Sequence, residues 1–488
     1  MQPAADPGLE PEPEPEPAGG GQRRSQHGHA LSPASFPCRF YPRGRCQKGD
    51  TCKFRHDPAL LQQPKATQPD PTLATHGPAE LTETLGAALL CQWRGDGKHK
   101  ACTHGFHSRK AVMNPLAVTQ LLQLLPGEGA VLDPFVGSGT TMIEVMIGGR
   151  PAVGYDVSPL AVGIANYHCW RPPAAQLDEL RMRVAAVIAA LPDDDTGAGS
   201  DGDAKDAAAA TVPPEAAAGR PNDTIDWEDA ARVVSEQAGK SSLEVEGALH
   251  FLFSHEQLYE WPAWRRQRSL AWRFQRTAER YMEKLTELAA AVPLGTAQAE
   301  VFVTDARSVA AGQDQSGMAP SADGVLTSPP YPGVYNYVAD ESDGRGLSSW
   351  ATRARVKTAG LQAEVSYASL CNSEIGSQKQ REDLDPDAFA QRWQADTEAW
   401  LRACADQLRP GGRIVMLIGD NAGVDALESI RAAAGSIHGV EPNSGCSSYD
   451  LRLIASASVA EDARRPWSSK KRNYRSEHTI LLEKVLKG

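Results

Sequence analysis

The chain has 488 residues, a length that suits two to four domains. Charged residues make up 23% and the apolar set 41%, which excludes wholesale disorder and allows a sizeable core. A net charge of −11 excludes a uniformly basic nucleic-acid binder while leaving room for local basic patches.

Residues 1–35 read as a disordered acidic, Pro-rich tail, with the run Glu10-Pro-Glu-Pro-Glu-Pro-Glu-Pro17 and little to bury. Met1–Gly21 has the build of neither a secretory signal nor a transit peptide, so a nuclear or cytoplasmic protein is expected rather than a secreted one. No run of 18 apolar residues occurs, so no membrane partner is expected. The nine cysteines are odd in number and scattered, which argues against a disulfide framework.

Residues 36–58 form a compact Cys/His unit. Cys38, Cys46, Cys52 and His56 are spaced C-x7-C-x5-C-x3-H, a donor set suited to a tetrahedral structural Zn²⁺ with no open position. So short a unit cannot bury a core, and the metal would supply most of its folding free energy. The spacing resembles the CCCH zinc fingers, which bind mainly single-stranded RNA. Phe40, Tyr41 and Phe54, interleaved with six Lys or Arg against two Asp, suit base stacking and phosphate contact. A metal-stapled protein-interaction module is the plainer reading of the same residues.

Residues 59–87 are Pro/Thr/Gln-rich and read as a linker. From 88 to 170 the pattern is α/β. A helix is expected over Pro115–Leu125, a buried strand over Ala130–Asp133, a helix over Thr140–Gly148, a strand over Ala152–Tyr155 and a helix over Pro159–Tyr167. A helical insertion is expected over 171–295, interrupted by an acidic loop at 193–226. The same rhythm resumes over 296–488, with strands near 299–304, 324–327, 413–418, 450–456 and 477–484 and a helix over Ala388–Leu408.

Two loops carry the chemistry. Asp133-Pro134-Phe135-Val136-Gly137-Ser138-Gly139-Thr140 comes off a strand and opens a helix, so Gly137 and Gly139 let backbone approach a ligand near a helix N-terminus. Met142 occupies the third glycine position of the dinucleotide fingerprint, and there is no Gly-Lys-Ser/Thr of a P-loop. Asp156 ends the next strand, where it can accept from ribose hydroxyls, and Asp305 ends a third, where it can meet an adenine amine. Each acid taken singly is more often a cap or turn residue; the ordered set is the layout for S-adenosyl-L-methionine. The second loop is Ser328-Pro329-Pro330-Tyr331, just past an apolar strand. Its rigid acceptors can hold the protons of a base amine whose lone pair is delocalised, and Tyr331 can stack on a base that has left the helix.

Together these loops resemble the amino-methylating DNA methyltransferases, whose signatures are D-P-F-x-G-x-G-T and [D/N/S]-P-P-Y, with S-P-P-Y most frequent in the cytosine-N4 branch. Thr103–Pro115 looks like the segment that helps close over the methionine in bacterial relatives, and Asp420 fits their later strand. The resemblance implies an α/β class I S-adenosylmethionine-dependent methyltransferase with a Rossmann-like seven-stranded sheet. It implies Asp133, Pro134, Phe135, Gly137, Gly139, Thr140, Asp156 and Asp305 at the cofactor. Ser328, Pro329, Pro330 and Tyr331 would carry the transfer, with Tyr335 and Tyr337 walling the base pocket. The expected activity is N4 methylation of cytosine in DNA. The alternatives are a base amine in RNA, chosen by the finger, and a non-catalytic nucleic-acid binder. The lone Pro-Cys dipeptide, Pro37-Cys38, belongs to the finger and so removes the cytosine-C5 class. His255, Trp261, Trp264, Arg265, Arg266, Arg268 and Trp272 in the insertion offer target contacts, or else a packed subdomain with a solvated face. The basic run Arg464–Arg475 suits a phosphate backbone or a nuclear-targeting patch.

Overall fold

In a computed structural model, the chain divides into two units, Met1–Pro69 and Asp70–Gly488. The structure describes residues 70–94, 101–107, 112–191, 227–258, 268–309, 322–338, 371, 373–421, 423–440, 448–459 and 476–487. The Cys38–His56 cluster, the acidic loop 193–226 and the basic run 464–475 lie outside the described residues.

The second unit is built on one sheet. Its strands are β1 (Leu73–His76), β2 (Val131–Asp133), β3 (Ala152–Asp156), β4 (Glu300–Val303) and β5 (Ala322–Thr327), then β6 (Leu408–Gly419), β7 (His438–Val440), β8 (Ser448–Val459) and β9 (Glu477–Leu486). They lie in the order β1-β8-β9-β6-β5-β2-β3-β4, with β7 also paired to β8. Strands β2 to β6 are mutually parallel, whereas β9 runs antiparallel to both of its neighbours. Counted from β2, the seven core strands therefore stand 3-2-1-4-5-7-6, and β1 and β7 bring the total to nine. The parallel strands are short and apolar because both faces are covered. Val131, Leu132 and Asp133 are all buried, as is every residue of β5.

The chain leaves β2 towards β3 and β4 on one side, then returns to β5 on the other. That reversal opens a crevice beyond the carboxyl ends of β2 and β5, where open α/β sheets bind ligands.

One face of the sheet carries α1 (Ala79–Arg94), α2 (Pro115–Leu122) and α3 (Thr140–Ile147); the other carries α10 (Pro386–Gln407) and α11 (Ala426–Ser436). Between β3 and β4 come α4 (Pro159–His168), α5 (Ala174–Ala190), α6 (Trp227–Ala238), α7 (Leu243–Leu258) and α8 (Leu270–Ala291), and α9 (Gln378–Asp383) precedes α10. Nine of the ten residues of α4 are buried. Its Val162 and Ala165 face the sheet core, while Leu160, Ile164 and Tyr167 enter a second core made with α5 to α8. A helix covered on both sides is apolar all round. Helices α2, α4 and α10 each begin with a side-chain N-cap followed by proline, at Asn114-Pro115, Ser158-Pro159 and Asp385-Pro386.

The linker expected over 59–87 ends earlier than its composition suggests. Leu73–His76 pairs antiparallel with Ser456–Val459 at the edge of the sheet, and α1 buries Leu85, Ala88, Leu89 and Trp93. Thr479 Oγ1 donates to the Leu85 carbonyl at 3.0 Å. The four-residue strand and a helix with Thr, Glu and Gly among its apolar positions carry too little periodicity to be read locally.

Candidate active site

Asp133 closes β2 and is 2% exposed. Its Oδ1 accepts from Thr327 Oγ1 at 2.6 Å and from the Phe135 amide at 3.1 Å. Burial pushes its carboxyl up to about 6, against hydrogen bonds from Thr327, Thr141 and Phe135 that favour the charged form. Thr327 ends β5 immediately before Ser328, so one hydrogen bond joins the two loops singled out in the sequence.

Gly137 and Gly139 both have left-handed backbone, at φ 52° and 84°. They serve different ends. A side chain at 139 would lie 3.1 Å from Ala165 Cα, so this glycine lets α3 pack on α4, whereas a side chain at 137 would meet nothing nearer than the Phe135 carbonyl at 3.9 Å. The loop is braced by Asp156, whose Oδ2 accepts from the Gly137 amide at 3.0 Å and Oδ1 from the Ser158 amide at 2.9 Å. Expected as a ribose acceptor, Asp156 thus also fixes the loop.

The His104–His107 part of the upstream segment lies against α4 and α3. His107 N–H donates to His168 Nε2 at 3.1 Å, which leaves the proton on Nδ1 for the Ser138 carbonyl at 2.8 Å. Thr103 Oγ1 donates to the His168 carbonyl, and His104 Nε2 meets Glu144 Oε1 at 2.7 Å. Phe106 packs among Phe251, His255 and Tyr281 in the insertion core. Residues 101–107 therefore support the Gly-rich loop from behind; Val112 and Met113 of the same segment line the cavity. In the insertion, His255 is buried and Trp272 lies beneath Arg268, 5.5 Å from cation to ring centroid; Trp261, Trp264, Arg265 and Arg266 lie outside the described residues.

Asp305 caps a short 3₁₀ turn, Ala306–Ser308, and is paired with Arg307, whose Nε donates to Oδ1 at 3.0 Å and Nη2 to Oδ2 at 2.5 Å. Arg307 belongs to no motif of the sequence.

Beyond β5, Ser328 and Pro330 line the cavity, and Pro329 is buried. The Tyr331 ring lies on Gly419: a Cβ there would come within 2.7 Å of its Cε2. Half-buried and packed against the cores on both sheet faces, Tyr331 is not among the cavity-lining residues. Tyr337 is, with the Tyr335 ring 5.3 Å away. Glu374, which the sequence reading passed over, accepts from the Tyr337 amide at 2.6 Å and also lines the cavity. It follows a long stretch with no regular period, so no local signal could place it. Asp420 supports the fold instead, accepting from the Ala426 amide and from His478 Nε2.

These elements surround a solvent-open cavity. Asp133, Pro134, Phe135, Gly137, Thr140 and Asp156 line it from the first two strand ends, and Asp305, Ser328 and Pro330 from the next two. Gly139, Pro329 and Tyr331 stand behind its surface. Carboxylates at three consecutive strand ends and a glycine with open space above it fit a cofactor with an adenosyl group and a charged amino-acid tail. Among the described residues no cluster of His, Cys, Asp or Glu is arranged to hold a metal ion, and no helix is long and apolar enough to cross a membrane.

No protein-family model and no curated protein matches the chain. Among solved structures it is similar to the rRNA methyltransferase aviRa from Streptomyces viridochromogenes, at 12% identity and a TM-score of 0.30, covering 80% of this chain and 92% of that one. So low a score carries no weight for the chemistry.

Proposed function

We propose that the chain is an S-adenosylmethionine-dependent methyltransferase acting on the exocyclic N4 amine of cytosine in DNA. The observation that carries this reading is the cavity at the switch point, lined by the Gly-rich loop, by acids from three strand ends and by Ser328 and Pro330.

Asp133, Gly137, Thr140, Asp156 and Asp305 would hold the cofactor, which when bound supplies an electrophilic methyl group. Ser328 Oγ would accept a hydrogen of the amine, freeing the nitrogen lone pair from the ring, with the Pro329 carbonyl, expected as the second acceptor, just behind the cavity surface. The amine gains one methyl and gives up one proton to solvent through the open cavity. Tyr337, rather than Tyr331, offers the aromatic face for a base drawn out of its stack. The Cys38, Cys46, Cys52 and His56 finger, with structural Zn²⁺, would add nucleic-acid affinity by tethering, and a nuclear location belongs to the same reading.

RNA is the second reading, favoured by the cations and aromatics around that finger. The test is labelled S-adenosylmethionine with the full chain and matched DNA and RNA pools, followed by mass spectrometry of digested nucleosides. The expected product is N4-methylcytosine in DNA, with turnover cut about 100-fold by Ser328→Ala. Label confined to RNA would overturn the DNA assignment, and cofactor binding without any transfer would leave the non-catalytic binder.

A further inference from the structure

Arg307 sits beside the cavity, yet its guanidinium points at protein groups. Besides Asp305, it donates from Nη1 to Asp396 Oδ1 at 2.6 Å and from Nη2 to the Ser373 carbonyl at 2.8 Å. Its own backbone amide reaches Asp305 Oδ1 at 2.9 Å. With the Arg307 side chain 23% exposed, little of this network is open to water.

Two of the three partners, Asp305 and Ser373, line the cavity, and Ser373 continues into Glu374 and Ile375; Asp396 is on α10, behind the lining. The same face of α10 packs against two of the lining segments or their immediate neighbours. Trp393, three residues before Asp396, packs on Gly376, where a Cβ would lie 2.6 Å from the indole. Trp400, four residues after Asp396, meets Phe135 edge-on at 5.4 Å. Spacings of three and four put all three side chains on one helical stripe. Arg307 is the polar link that carries this rigid stripe to Asp305.

We propose that Arg307 is the positioning residue that aims the Asp305 carboxylate at the cofactor's adenine amine and pins the Ser373 wall across from it. The proposal rests on the cavity taking an adenosyl cofactor. Two parallel donors hold a carboxylate in its own plane, which only the planar fork of arginine provides; lysine offers a single point charge. A carboxylate so fixed accepts from an amine and repels a carbonyl oxygen in the same place.

The experiment is calorimetric titration of the full chain with S-adenosylhomocysteine and with its inosyl analogue, which carries a carbonyl in place of the amine. Arg307→Met and Arg307→Lys are titrated alongside, with thermal melts as the fold control. The wild-type chain is expected to prefer the adenosyl ligand by at least about tenfold, because a site built for a hydrogen bond rejects the analogue lacking it. Arg307→Met should reduce that preference to below about threefold, and Arg307→Lys should regain affinity without regaining the ratio. A general packing defect would weaken both ligands equally and leave the ratio intact, and that outcome overturns the proposal. If Arg307→Met does not melt cooperatively, the Arg307→Lys ratio decides. A wild-type chain that binds both ligands equally removes the aimed carboxylate, whereas one that binds neither removes the cofactor reading itself.

Discussion

Asp133 combines the most buried position among the site acids with the hydrogen bond that joins the two loops. Its folded carboxyl lies at about 6, above its ordinary value of 3.8, so folding favours the protonated form. The associated stability is fully present below 3.8 and is lost as pH rises through about 6. At neutral pH the chain thus carries a buried charge that costs up to about 3 kcal/mol. Asp133→Asn should stabilise the fold at pH 7.5 by about 1–3 kcal/mol and lose that advantage as pH falls towards 4. Denaturant melts at pH 4, 5, 6 and 7.5 check this, and a constant difference across the range would contradict it. The Thr327–Asp133 bond sets the Gly-rich loop against Ser328. Buried charges held at an energetic loss are a mark of functional sites.

At the scale of the element, the turn between β2 and α3 shows how two adjacent glycines of one motif divide their work. Both have positive φ, so an alanine at either strains the backbone by about 1–2 kcal/mol. Gly139→Ala must also displace Ala165, 3.1 Å away, and so should loosen the packing of α3 on α4 and lower the melting temperature by several degrees more than Gly137→Ala. The new methyl of Gly137→Ala meets open space in the protein, so its larger effect should fall on S-adenosylhomocysteine affinity. Thermal melts and titrations of both variants check this, and equal effects on stability and affinity in the two would refute the division. The loop's shape also depends on α4, through the His168 bridge between His107 and Ser138. Losing a buried bond of this kind costs about 1–3 kcal/mol because its partners are left unsatisfied.

For the whole molecule, the N-terminal edge of the second unit is set by β1 and α1 and not by the composition change near residue 88. A chain beginning at Asp70 keeps the pairing of Leu73–His76 with β8 and the burial of Leu85, Ala88 and Leu89. It should melt with the same main transition as the full chain. A chain beginning at residue 88 loses β1 and the first half of α1, exposes the face of β8 and β9 beneath them, and should melt at least about 10 °C lower or aggregate. Equal melting of the two truncations would show that the edge strand and helix add nothing.

Much of this architecture was legible in the linear order of residues. The strand ends at Asp133, Asp156 and Asp305 follow from apolar runs that stop at an acid. The helix starts at Pro115 and Pro159 follow from the apolar period that begins there, whereas the helix expected from Ala388 starts two residues earlier, at Pro386 behind its Asp385 cap. These signals are local, because a strand buried on both faces and a capped first turn depend on neighbours only a few residues away. What each acid does was decided by contacts that the apolar pattern does not report, several of them between residues far apart in the chain. Asp156 braces Gly137, Asp305 is held by Arg307, and Arg307 reaches Ser373 and Asp396, 66 and 89 residues further on. Tyr331 leaves the cavity surface for the same reason, because Gly419, on the next strand, leaves a bed for its ring, while Tyr337, whose amide donates to Glu374, lines the cavity. Sequence alone therefore determined which strands and turns form and which chemistry their ends offer. Tertiary structure alone decided which of those groups face the cavity, because hydrogen bonds and packing across the sheet join residues whose separation along the chain carries no signal.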